Sequence, residues 1–289
     1  MTNEPLPRSG RRSRLTRRGR LILALSAAAV AAGVMLVPLL ARAPESPHRP
    51  PPPSPPPPKT LVIPEGWRAT QVYEAIDKAL KAAPGTTARA AARAKLNLPA
   101  DAKGNVEGYL FPATYPIDAT TTPARLLSFM VNIANQRFGT ERIAAAARDV
   151  GVTLHQAVNI ASIVQAEADT TADMGKVARV VHNRLAQGMP LQMDSTINYA
   201  LGRSSLDTTT ADTRIDNPYN TYELQGLPPT PIDNPGEEAM HAAVAPPPGG
   251  WLYFVTVEPG DTRFTSSYEE HQRHVAEFNT VRATARGTG

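Results

Sequence analysis

From Thr122 onward the apolar positions recur three and four residues apart, the spacing of one face of a helix. Leu126, Leu127, Met130, Ile133 and Ala134 form one such stripe, and Pro123 sits at a first helical position, where its missing N–H leaves no bond unmade. Thr140 opens a shorter helix. Thr153-Leu154-His155-Gln156 has the capping-box pattern, with Thr as N-cap and Gln three residues on. It predicts a helix running to about Ala168, with Leu154, Ala157, Val158, Ala161 and Val164 as its core stripe. Met174, Val177, Ala178, Val181 and Leu185 belong to the next helix, which Gly188 closes. Asp194 is the predicted N-cap of a short segment over 195–201. Strand-like runs are fewer. Residues 60–63 (TLVI) precede Pro64-Glu65-Gly66, with helical spacing at Val72, Ile76 and Leu80 beyond and then a polar, turn-rich stretch. Residues 251–257 (WLYFVTV) read as a buried strand, and Tyr268, Val275 and Phe278 lie in a final helix. The expected fold class is α+β and helix-rich.

The N-terminal fifth follows another pattern. Residues 21–41 are 21 residues without a charge, which at about 1.5 Å per residue spans a hydrocarbon core of roughly 30 Å. Seven arginines precede the run and Arg42 follows it. The positive-inside rule puts residues 1–20 in the cytoplasm and the body outside. A cleaved signal peptide is the alternative, with Ala41-Arg42-Ala43 as a small-x-small site. The run exceeds the roughly 7–15 residues of a signal core, and Pro44 would sit directly after the cut, so a single-pass membrane anchor is expected. Both versions export the body. Residues 44–58 contain ten prolines. With the flanking 42–43 they make a stalk, a polyproline II spacer of roughly 45 Å.

Charge and cysteine content then narrow the chemistry. The 289 residues carry a formal net charge of +4, from 30 basic and 26 acidic residues. Eight of the basic residues and one acid, Glu4, fall in residues 1–42, which leaves 22 basic against 25 acidic beyond. The body is slightly acidic, so a nucleic-acid partner is not expected. There is no cysteine, hence no disulfide, no thiolate metal site and no cysteine nucleophile. The six histidines show no HExxH spacing, and no serine-nucleophile elbow, Walker loop or dinucleotide glycine loop is present. No metal and no cofactor is expected.

Carboxylate chemistry remains. Glu167 lies four residues after Ile163 and seven after Ile160, on the flank of an apolar stripe near a helix C-terminus. Burial and the negative end of the helix dipole both raise the pKa of a carboxyl placed there. Tyr109, Gln192, Asp194, Tyr199, Tyr219, Asn220 and Tyr222 are residue types suited to sugars, since aromatic faces stack on pyranose rings and amides bond hydroxyl and N-acetyl groups. Taken one at a time, each of these residues reads better as a fold residue around a turn.

Several runs together resemble the MltG-type (YceG-like) endolytic murein transglycosylases. They are EGYLFPATY at 107–115, ASIVQAE at 161–167, VHNRL at 181–185, GMPLQMDSTINY at 188–199, YNTY at 219–222, GLPPTPI at 226–232, NPG at 234–236, LYFV at 252–255 and FTSSYEEH at 264–271. The resemblance implies an enzyme that cuts within peptidoglycan glycan strands to leave 1,6-anhydro ends. Its setting is the bacterial inner membrane, with the synthases as candidate partners. It places the catalytic glutamate in the ASIVxxE segment. Family members often carry two acids there; here the first position is Gln165, so Glu167 is the only carboxylate in the motif. Thr196 joins the seven residues above in the implied glycan groove. The implied organisation is a cytoplasmic tail (1–20), a transmembrane helix (21–41), a Pro-rich stalk (42–58), a small LysM-like β-α subdomain (59–104) and a YceG-like catalytic domain (105–289). Relative to the family's usual pattern the membrane-proximal part is short, and Asp261 and Arg263 stand where a histidine commonly precedes Phe264. A hydrolase pairing Asp194 with Glu167, or a non-catalytic wall-binding scaffold, are the alternatives.

Overall fold

The structure, a computed structural model, describes residues 59–203 and 208–287. The apolar run 21–41 and the stalk lie outside them. Among the described residues no helix is long and apolar enough to cross a membrane.

The chain enters on β1 (Lys59–Val62), followed by α1 (Ala69–Ala79) and α2 (Thr86–Arg93). The stretch holding α2 was expected to be turn-rich. The carboxylate of Asp77 fixes the start of α2, accepting from the Thr87 N–H at 2.8 Å and the Thr87 hydroxyl at 2.6 Å. Strand β2 (Thr114–Ile117) returns to pair antiparallel with β1, Leu61 facing Tyr115. Sequence pattern missed this strand, and its pairing with β1 crosses the 104/105 boundary.

The helices that follow stand where the periodicity put them: α3 (Pro123–Phe138), α4 (Glu141–Asp149), α5 (Leu154–Glu167) and α6 (Thr171–Ala186). Their starts are chemically fixed. Thr122, Thr140 and Thr170 each accept a hydrogen bond from a backbone N–H of the first turn, and Thr153 and Gln156 close the capping box. Gly188 takes φ +64° just past α6, a conformation glycine adopts without strain.

Helix α5 is the centre of the fold. Ala157 through Val164 are all buried, so the helix is covered on every side rather than along one stripe. It packs against α6 and against α8 (Glu237–Val244), with α4 and α7 (Asp194–Ala200) at its ends. Ile160 and Ile163 are fully buried, worth about 1.5–3 kcal/mol each by area removed from water.

Strand β3 (Tyr253–Glu258) pairs antiparallel with β4 (Asp261–Thr265), and α9 (Tyr268–Gly287) packs on this hairpin. The expectation of a buried strand is corrected here. Only Val257 of β3 is buried, because two strands under one helix leave much of the sheet open. Asp194 is a second correction. Met193 occupies the N-cap of α7 and Asp194 is its first residue, because the Asp194 carboxylate is taken up by another partner.

Candidate active site

Helix α5 ends where Ala168 turns to extended backbone. Its last turn leaves the core, and Glu167 is half-buried there. The first turn of α7 faces it. That turn carries backbone donors with no partner inside its own helix, and one of them, the Ser195 N–H, donates to Glu167 Oε1 at 3.1 Å. The Ser195 hydroxyl is buried in the same turn, beside the Glu167 carboxyl. Burial pushes the Glu167 carboxyl above its ordinary range. Contact with Ser195 pulls it down, and the neighbouring charge of Asp194 pushes it up. The outcome is a raised pKa, which suits a group that must be protonated before it acts.

Asp194 is held by Tyr222, whose hydroxyl donates to Asp194 Oδ1 at 2.6 Å. Tyr222 in turn is set by Asn220. The Asn220 side chain donates to the carbonyls of Thr213 and Ile215 at 3.2 and 2.8 Å and accepts from the Tyr222 N–H at 3.0 Å. Thr196 is fully buried, its hydroxyl shared between the Met193 carbonyl at 2.7 Å and Thr221 Oγ1 at 2.9 Å. Residues 192–196 are thus strapped to 220–222.

Gln192 is exposed and sits at φ +53°, a left-handed conformation uncommon for a residue with a Cβ. Two bonds hold it. Its N–H donates to the Thr221 carbonyl at 2.9 Å, and its Oε1 accepts from Arg184 Nη1 at 3.1 Å. Arg184 is itself buried and also serves the carbonyls of Pro190, Leu191 and Leu252. One guanidinium therefore fixes the loop before α7 and the entry to β3. Strain sustained by such a frame is typical of functional sites.

One turn beyond Ser195 on α7, Tyr199 packs against Tyr219 with ring centroids 4.9 Å apart. The guanidinium of Arg68 lies 5.1 Å from the Tyr199 centroid. The Tyr219 hydroxyl bonds Thr230 at 2.7 Å, and the Tyr199 hydroxyl donates to Glu107 Oε2 at 3.2 Å. Glu107 is buried, and its other oxygen accepts from the Ala69 N–H at 2.8 Å and Asn234 Nδ2 at 3.2 Å. Burial drives its carboxyl up to about 7 against the pull of those bonds and of Arg68. Asp233, also buried, has an Oδ1 without a hydrogen-bond partner among the described residues, and burial pushes its carboxyl well above the ordinary range.

Glu167, Asp194 and Tyr222 are therefore brought together, with Gln192 beside them. Tyr199 and Tyr219 form a second group further along α7. Thr196 and Asn220 are buried frame residues behind these. Tyr109 stands apart: its hydroxyl bonds His155 Nδ1 at 2.7 Å at the start of α5, twelve residues and roughly 18 Å of helix from Glu167. Sequence reasoning gave no role to Arg68, Glu107, Arg184, Asp233 or Asn234. Glu107, Asn234 and Arg184 lie in runs quoted for the family resemblance, which is the signal that could have found them.

Fold and site define a helix-rich α+β protein built around a half-buried carboxyl at the end of its central helix. The chain belongs to the YceG-like family, which it matches over residues 47–277. It is 38% identical over 172 residues to an endolytic murein transglycosylase of Bacillus subtilis (strain 168), covering 59% of this chain and 47% of the relative. A protein of the same name from Streptococcus pneumoniae serotype 2 (strain D39 / NCTC 7466) is 35% identical over 182 residues, covering 61% of this chain and 33% of that one. The chain thus spans about half of one relative and a third of the other. A crystal structure of a yceG-like protein from Listeria monocytogenes superposes with a TM-score of 0.65 at 31% identity, covering 75% of each chain.

Proposed function

We propose that this protein is an endolytic murein transglycosylase that cuts peptidoglycan strands between N-acetylmuramic acid and N-acetylglucosamine. The observation that carries the proposal is Glu167 itself, a half-buried carboxyl of raised pKa at the open end of α5 with one N–H donor fixed on it. Protonated Glu167 gives its proton to the glycosidic oxygen as the bond from that oxygen to C1 of the muramic residue breaks. The Ser195 N–H stabilises the carboxylate that results. That carboxylate then takes the proton of the muramic 6-hydroxyl, whose oxygen closes on C1. The product is a 1,6-anhydro ring, Glu167 ends as it began, and no water is consumed. One group serving as acid and then base needs a pKa lifted toward neutrality.

Asp194, oriented by Tyr222, is a positioning group in this scheme, and Gln192, Tyr199, Tyr219 and Tyr222 line the groove. The proximity of Asp194 to Glu167 supports one rival, hydrolysis by a carboxylate pair. Mass spectrometry of the digested glycan separates the two. Anhydro ends support the lyase, and reducing ends support the hydrolase.

The uncharged run at 21–41 and its arginine flank support a single-pass inner-membrane anchor with the body outside, held off the bilayer by the stalk. The β1–α1 segment is then a short LysM-like piece near the membrane, and peptidoglycan synthases are the fitting partners for an enzyme that ends nascent strands.

A further inference from the structure

The runs at 252–255 and 264–271 take no part in the cleavage step, yet they build an aromatic cluster of specific geometry. The Tyr253 ring has the Arg184 guanidinium 5.2 Å from its centroid and stacks with His271 at 5.1 Å and 20°. Tyr253 thus contacts both a cation and a second ring. Tyr268 leans on this pair, 5.6 Å from Tyr253 at 52° and 6.5 Å from His271 at 41°, and is 58% exposed. A ring that exposed adds little to the core by burial.

Tyr268 is nevertheless rigidly placed at the start of α9. The Ser267 N–H donates to Thr265 Oγ1 at 3.0 Å, the Thr265 hydroxyl donates to Glu270 Oε2 at 2.5 Å, and the Ser267 hydroxyl accepts from the Glu270 N–H at 3.3 Å. An aromatic face open to solvent, fixed in direction and backed by other rings is a stacking platform with its ordering cost already met.

Side-chain contacts link the platform to the loop before α7. Gln192 is three residues before Ser195, hence within about 10 Å of it at full extension. Arg184 bonds Gln192 at 3.1 Å and lies against Tyr253, which carries Tyr268.

We propose that Tyr268, braced by Tyr253 and His271, is an outer subsite that stacks a sugar ring of the glycan strand away from the bond that is cut. This rests on the glycan-cleaving reading above. The subsite makes the enzyme favour long strands over short ones, and so sets where along a strand the cut falls.

The test uses the full chain carrying Glu167→Gln, so that bound glycan is not consumed, with and without Tyr268→Ala or Tyr268→Trp. The probes are peptide-free glycan strands of two lengths, a short oligosaccharide and a strand several times longer. The expected result is that Tyr268→Ala weakens binding of the long strand by about tenfold, the size of one ring-stacking contact. Tyr268→Trp retains that affinity, and the preference for long over short falls in the Ala variant alone. Unaltered long-strand affinity in the Ala variant overturns the subsite, as does an equal loss in the Trp variant. If the Glu167→Gln chain binds neither strand, it is the glycan reading itself that fails, a result distinct from loss of the length preference.

Discussion

Replacing Glu107 by Gln should remove a defined part of the pH dependence of stability. Glu107 is 4% exposed, and its carboxyl is raised from the usual 4.5 to about 7 in the fold. Between those values the unfolded chain has released this proton while the folded chain still holds it. Stability linked to the group is therefore present in full below about pH 4.5, declines as pH rises, and is gone above about 7. At 1.36 kcal/mol per pH step, the difference is about 3 kcal/mol. Gln cannot ionise, yet it can still accept from the Ala69 N–H. Other groups also shift on folding. Glu167 and Asp233 act in the same sense, and His155, His182 and His271, all lowered chiefly by burial, act in the opposite one. The difference between wild type and Glu107→Gln cancels the groups not coupled to Glu107 and leaves Glu107 together with the part of the Asp233 shift that its charge causes. Guanidinium unfolding at pH 5, 6, 7 and 8 measures it. The wild type should lose about 2 kcal/mol relative to the variant between pH 5 and 7, and a few tenths of a kcal/mol more by pH 8. Parallel curves, or a wild type that gains on the variant as pH rises, would refute the reasoning.

Other expectations come from the frame around the site. Gly108 lies at φ +86°, and a Cβ there would stand 2.7 Å from Pro231 and 2.9 Å from Val158. Gly108→Ala should thus cost about 2–4 kcal/mol in chemical unfolding, and a loss under about 0.5 kcal/mol, the scale of an ordinary surface change, would contradict it. Arg184→Ala leaves the Pro190, Leu191 and Leu252 carbonyls without this donor. It should destabilise by about 2–4 kcal/mol, with a melting curve equal to wild type as the contrary result. In the proposed reaction Glu167 acts first as an acid, and its pKa is raised, so kcat/KM should fall as pH rises through that pKa, with the midpoint above the ordinary 4.5 of a glutamate. A pH–rate profile with its alkaline limb at or below 4.5 would exclude Glu167 as the proton donor.

The helices were legible because their signals are local. The spacing of Leu126, Leu127 and Met130 and the Thr153/Gln156 box each specify a helix within one or two turns of chain. Strand β2 was not, since Thr-Tyr-Pro-Ile is short, carries a proline and becomes a strand only by pairing with β1, more than fifty residues earlier. Helix α2 was hidden by an Ala- and Arg-rich segment that buries only Thr87. In the site, Glu167 could be found because a lone acid on an apolar helix flank is a local anomaly. Asp194 was misplaced as a cap because its short carboxylate fits that role locally, whereas the partner it actually has, Tyr222, is 28 residues away. Glu107 and Asn234 are 127 residues apart in the chain, and only folding makes them a pair.

The central claim is that Glu167 moves the proton in a lyase reaction. Wild-type chain and its Glu167→Gln twin, shown to have the same fold by circular dichroism, are incubated with peptidoglycan glycan, and the products are read by mass spectrometry. The account predicts 1,6-anhydro-ended fragments from the wild type and none from the twin. Anhydro ends from both proteins would contradict it.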